Sequence, residues 1–271
     1  MKLDTLSQLR NNIDAIDDKI ITLLKERMEI VKHVGEVKKE TSASQSFIRA
    51  GREASMLRNL TKKADGIFPA QAIATIWRMI ISTSLNCEQA MSIYAYNDKD
   101  HSCYWHAREY FGTFLKIYPK IKADEVIDAV ARNASAVGVL PLLDNSENPW
   151  WVRPQSEANN IYVFARIPFI LEDSPLFPPA LAIANTSPEA TEEDVSLFSI
   201  TTKAGEKKLQ GIFADNRLEA NIISRSGEEN FLIEVNRFVP IGNKISKEIE
   251  SLLGSGSVAR LMGSYAVHIK I

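Results

Sequence analysis

Two basic residues interrupt what is otherwise the apolar stripe of a helix. Leu9, Ile13, Ile16, Ile20 and Leu23 recur at three- and four-residue steps, and Val31 and Val34 continue the series. Arg27 and Lys38 fall in the same stripe. Their eleven-residue separation leaves them only about 20° apart around a helix axis. Two further helical patterns do the same. Glu53 precedes Met56, Leu57 and Leu60 on one face, with Arg52 beside it, and Ile73, Trp77, Ile80 and Ile81 lead at four-residue steps into Ser84 and Glu88. An unpaired buried charge costs several kcal/mol, and removing one member of a buried pair costs about 3–5 kcal/mol. Internal salt bridges such as Lys38–Glu88 and Arg52–Glu53 would meet that cost. A small polar pocket between the helices would meet it differently. Cations outnumber anions in the set, further so with Glu88 protonated, and arginines are natural bidentate ligands for carboxylates. Such a pocket suits a compact dianion.

Arg10 adds a geometric constraint. It lies at the edge of the apolar face, about 25 Å along the axis from Arg27. The two cannot hold one small molecule from the same chain. If Arg10 serves a pocket, it serves that of a second copy, which implies a dimer.

The elements that carry these residues are three helices. Thr5, with Gln8 three positions on, makes a capping box, and no proline follows until well past Lys39. That first helix is about 50 Å long, longer than a compact ninety-residue globule is wide, so it needs partner helices along its length. The polar break ETSASQS leads to a second helix around Arg49–Leu60, and a third runs from Ala70 to about Ala90.

Beyond Met91 the pattern changes. MSIYAY, AVGVLPLL, NIYVFARIPFIL and PALAIA read as strands, with CYWHAREYFGTFL and DEVIDAVARN as helices. From about Asp194 the order is clearer: VSLFSI, GEKKLQGIFAD, ANIISRSGEENFLIEV, KISKEIESLLG and VARLMGSYAVHI give βαββαβ, a ferredoxin-like unit. The chain therefore divides into residues 1–90, 91–193 and 194–271, a helical block followed by α/β material. A net charge of −2 offers no basic patch for nucleic acid, and no apolar run is long enough to span a bilayer. Cys87 and Cys103 suit a reducing compartment and make no metal-ligand pattern with the four histidines, so a cytoplasmic protein is expected. Trp150 and Trp151 read as packing residues.

The combination LRNNIDAIDDKIITLLKERMEIVKHVGEVK, IRAGREASML and IWRMIISTSL resembles the all-helical chorismate mutases over the first ninety residues. The resemblance implies three helices per chain interlaced in a homodimer, and a cofactor-free pericyclic rearrangement of chorismate to prephenate. By resemblance, Arg27 and the Arg10 of a second copy clamp the substrate carboxylates, and Ser84 assists. Lys38 and a protonated Glu88 donate to the ether oxygen, Arg52 adds positive field, and Glu53 holds the ring hydroxyl. Glutamine is common at the position of Glu88, and Arg49 stands where some members have aspartate.

Residues 91–193 resemble a prephenate dehydratase lobe without the Thr-Arg-Phe signature, and so read as a degenerate relative. Residues 194–271 resemble an ACT domain, where IISRSGEENFLIEV retains Ser224 and Arg225 of the amino-acid-sensing stretch without its flanking Glu and Pro, which implies either phenylalanine as an effector or a purely structural or dimerising role. Rival readings are a bifunctional mutase–dehydratase, an isochorismate–pyruvate lyase on the same helical fold, and a non-catalytic sensor of aromatic amino acids.

Overall fold

The computed structural model describes residues 5–40, 48–64, 66–97, 99–152, 160–171 and 176–270. Three helices open the chain: α1 (Leu6–Glu40), α2 (Ala50–Lys62) and α3 (Ala70–Glu88). The capping box forms as its residues suggest. Thr5 N donates to Gln8 Oε1 at 2.8 Å, and Gln8 N donates back to Thr5 Oγ1 at 3.3 Å, satisfying donors that the first turn leaves free. The polar break ETSASQS falls almost wholly outside the described residues.

The α/β region builds one nine-stranded sheet in the order β2-β1-β3-β6-β4-β10-β7-β9-β8. Its first half holds β1 (Ser92–Tyr96), β2 (Ile117–Lys120), β3 (Ala136–Pro141), β4 (Ile161–Ile167) and β6 (Ala180–Asn185). α4 (Ser102–Phe111) and α5 (Ala123–Arg132) connect the parallel strands β1, β2 and β3. The second half is β7 (Asp194–Thr201), α6 (Gly205–Asp215), β8 (Ala220–Ser226), β9 (Asn230–Val235), α7 (Ile245–Leu253) and β10 (Val258–Ala266). Its strand order, β10-β7-β9-β8, is the 4-1-3-2 arrangement of the ferredoxin-like fold.

Residue alternation decides which helices cover which face. Val137, Val139, Ala182 and Ala184 point into one core, shared with Leu57 of α2, Ile81 and Leu85 of α3 and Phe111 of α4. Ala136, Leu140, Leu181 and Ile183 point the other way, onto Val126 and Val130 of α5 and onto Trp150 and Trp151, both fully buried. The two halves of the sheet meet where β4 and β10 pair in parallel at Val163 and Gly263. Gly263 has φ +147°, and a Cβ there would lie 2.1 Å from the Val163 carbonyl oxygen, so only glycine lets the strands touch.

Three sequence readings shift in detail. NIYVFARIPFIL is not one strand: β4 stops at Ile167, and β5 (Ile170–Leu171) pairs instead with β11 (Ile269–Lys270). Pro168 between them has no N–H to continue the ladder. The helix in CYWHAREYFGTFL ends at Phe111, where Gly112 takes φ +90°. The edge strand β2 is an addition, its IYPK too short and proline-broken to signal itself.

Candidate active site

α1 brings Arg27 and Lys38 against α3. Arg27 Nη1 donates to Ser84 Oγ, and that hydroxyl donates in turn to the Ile80 carbonyl at 2.8 Å. Lys38 Nζ donates to Glu88 Oε2 at 2.8 Å. Along α1 the two cations are about 16 Å apart, whereas Ser84 and Glu88 are about 6 Å apart along α3. The long basic side chains must therefore lean toward each other, which draws their charges into a small volume. Gly35 lies beside this contact. Its position on α1 faces Glu88, whose Cγ lies 3.7 Å from where a Cβ would stand.

Arg52 of α2 completes the group. It is exposed, yet near enough to Arg27 that burial and then the Arg52 charge hold the Arg27 guanidinium below its ordinary value. The tally is three cations, one carboxylate and one hydroxyl. With Glu88 ionised, two positive charges are left over, the number a dicarboxylate would neutralise.

Glu53 is not brought to this cluster. One helical step of about 100° from Arg52 turns it inward, where its Oε2 accepts from Arg78 Nη1 at 2.8 Å with both side chains buried. The Arg52–Glu53 bridge is therefore replaced by Arg78–Glu53. Arg78 also donates from Nε to the Tyr110 carbonyl at 3.3 Å, and its guanidinium sits 3.6 Å from the Tyr110 ring centroid. Burial alone would lower the Arg78 pKa, but Tyr110 and Glu53 outweigh it and the net shift is upward. The Tyr110 phenol is pushed up to about 12, by burial first, with Arg78 opposing and Glu53 adding. Arg49, expected to matter through an aspartate it replaces, pairs with Glu189 of the α/β region.

Arg10 is exposed on α1, on the same long helix as the cluster but remote from it. Around it the apolar stripe is uncovered: Ile13 is 57% exposed and Leu23 62%. An exposed apolar face of this kind is characteristic of helices that pack against other helices.

The family described as "Chorismate mutase type II" matches residues 9–89, which span all three helices. The helical block is a chorismate mutase domain. Two bifunctional chorismate mutase/prephenate dehydratases are similar over 147 residues at 29% identity. The Aquifex aeolicus protein is covered over 54% of this chain and 41% of its own length, and the Pseudomonas aeruginosa protein over 53% and 40%. Those alignments are longer than the mutase domain and so run into the α/β region, while this chain spans about two fifths of either relative. A solved prephenate dehydratase from Streptococcus mutans overlaps 67% of this chain and 100% of its own at 17% identity, with a TM-score of 0.42.

Away from the mutase domain, Ser224 and Arg225 lie on β8 beside a bulge against β9. They border an open groove with Glu206 and Phe213 of α6, and Arg225 Nη1 donates to Glu206 Oε2 at 3.0 Å. Among the described residues no helix is long and apolar enough to cross a membrane. Two residues of the mutase domain, Arg78 and Gly35, went unnoticed in the sequence. The signal for Arg78 was its place in the Ala74–Arg78–Ile81–Leu85 stripe; that for Gly35 was a glycine held inside a long helix, where it costs about 0.5–1 kcal/mol against alanine.

Proposed function

We propose that the chain catalyses the rearrangement of chorismate to prephenate. The carrying observation is the convergence of Arg27, Lys38 and Arg52 with Ser84 and Glu88 at the α1–α3 contact. In this reading Arg27, assisted by Ser84, binds one carboxylate, and the Arg10 of a second copy binds the other. Clamping both selects the compact conformer, and Arg52 adds positive field. The uncovered apolar stripe of α1 supports a homodimer that would supply that second arginine.

Negative charge grows on the ether oxygen as its C–O bond breaks, so donors aimed there act at the transition state. Lys38 is one such donor. Glu88 is the second when it carries a proton, and the two side chains hydrogen-bond each other. A carboxylate can accept but cannot donate, so turnover is expected to fall as pH rises. Glu88→Gln should flatten that profile; a variant that keeps the wild-type dependence removes Glu88 from the role.

The deciding experiment is incubation of the purified chain with chorismate at neutral and mildly acidic pH, with the product identified. Prephenate is expected, and absence of turnover would refute the reading. The alignments that run past the mutase domain favour one further arm, phenylpyruvate, as the mark of added dehydratase activity. We also propose the 1–90, 91–193 and 194–271 division as the functional one, with phenylalanine seated near Ser224 and Arg225. A thermal shift on adding phenylalanine that Arg225→Ala abolishes is the expected result.

A further inference from the structure

Arg58 lies on α2 and is 8% exposed. Its Nη2 donates to the Val267 carbonyl at 2.7 Å and the Glu193 carbonyl at 3.2 Å, and its Nη1 to Thr191 Oγ1 at 3.3 Å. Glu193 stands immediately before β7, and Val267 immediately after β10. These two strands pair antiparallel, with Asp194 opposite Ala266, and Val267 N donates to the Glu193 carbonyl at 2.9 Å. One guanidinium thus straddles the point where the ferredoxin-like unit begins and ends. The acceptor loop is itself fixed, because Thr191 donates through both N and Oγ1 to the Asp194 carboxylate at 2.7 Å.

The start of α2 makes two more contacts there. Arg49 pairs with Glu189, and Gly51, two turns before Arg58, packs so closely that a Cβ would lie 3.0 Å from Glu189 Cβ. Arg52 is about 120° around the helix from Arg58, exposed and within electrostatic reach of Arg27. An apolar side chain would have docked α2 without burying a charge. Three directional bonds do what an apolar contact does not: they set the rotation of α2 about its own axis. That rotation decides where Arg52 points.

We infer that Arg58 is a positioning residue for the mutase reaction, acting through Arg52. The inference rests on the mutase reading above. By pinning α2 to the β7–β10 joint, Arg58 lets the α/β region hold one wall of a pocket it does not itself line. It touches no substrate.

The test measures kcat and KM for chorismate, well below the melting temperature, in Arg58→Gln, Arg58→Lys and Gly51→Ala, and in Arg58→Gln combined with Arg52→Ala. Arg58→Gln should lower kcat/KM by about 10- to 100-fold, up to what a 1 Å misplacement by a remote mutation can cost. Arg58→Lys should recover part of the loss, and Gly51→Ala should move the rate in the same direction as Arg58→Gln by pushing α2 off Glu189. With Arg52 already removed, Arg58→Gln should cost less than about two-fold more, the non-additivity expected of residues acting as one unit. Full additivity, or a lowered melting temperature with kcat/KM intact, overturns the inference while leaving the mutase reading in place. A wild-type chain that does not turn over chorismate overturns both. Should Arg58→Gln fail to fold, Gly51→Ala and Arg58→Lys decide by the same criteria.

Discussion

Two arginine clusters occupy different faces of α3, and they differ in how their charges are answered. Around Arg78 the charges balance and are buried, one guanidinium against one carboxylate, with a main-chain carbonyl and an aromatic face beside them, although Arg78 Nη2 and Glu53 Oε1 find no hydrogen-bond partner among the described residues. Around Arg27 and Lys38 the cations exceed the acids, the groups are only half-buried, and Arg52 repels Arg27. Buried pairs are weak stabilisers whose loss is nonetheless costly, because the partner left behind has no solvent. The first cluster therefore suits a structural role, and the second suits the ligand proposed above. Composition alone does not separate them, since each is an arginine on helices with an acid nearby. Charge balance and solvent access do.

Substitutions should split the two clusters by which property they move. Lys38→Ala is expected to lower chorismate turnover by about 10³-fold, the order seen when a transition-state donor is lost, while the melting temperature stays within a few degrees. Turnover near wild type in that variant would collapse the distinction. Glu53→Gln should act the other way, destabilising by about 3–5 kcal/mol, roughly 10 °C for a chain of this length, with kcat preserved in the cold. A large loss of kcat with unchanged stability would return Glu53 to the substrate site.

The buried cluster should also show itself in alkali. Tyr110 titrates at about 12 when folded against about 10 when unfolded, so its contribution is complete below pH 10 and lost as pH rises toward 12. Denaturation titrations should show about 2–3 kcal/mol less alkaline loss in Tyr110→Phe than in wild type. Equal slopes would place the phenol in contact with water. The smallest effect belongs to Gly35→Ala. Its new Cβ meets Glu88 Cγ at an ordinary 3.7 Å, so α1 should gain about 0.5–1 kcal/mol. A loss of stability there would mean that the α1–α3 spacing is tighter than it looks.

The open cluster was legible in the sequence because its residues violate a pattern. Arg27 and Lys38 stand in an apolar stripe, and Ser84 and Glu88 extend another. The closed cluster was not. Arg78 interrupts the Ala74–Ile81–Leu85 stripe only once, and one of its partners is the Tyr110 carbonyl, which no side-chain pattern reveals. Arg58 was invisible for the same reason: two of its three acceptors are carbonyl oxygens, which every residue carries. The ferredoxin-like order was readable from alternation and turns. The Val163–Gly263 contact that welds it to the rest of the sheet was not, since a lone glycine does not announce which strand approaches it.

The length of α1 has a genetic consequence. If its two ends serve different pockets, a chain lacking Arg10 and a chain lacking Lys38 are each inactive alone for different reasons. Mixed together, they form hybrid dimers in which one pocket of the two recovers a complete set and the other lacks both groups. Random exchange would restore about a quarter of wild-type activity, so two dead alleles would complement each other within a single gene.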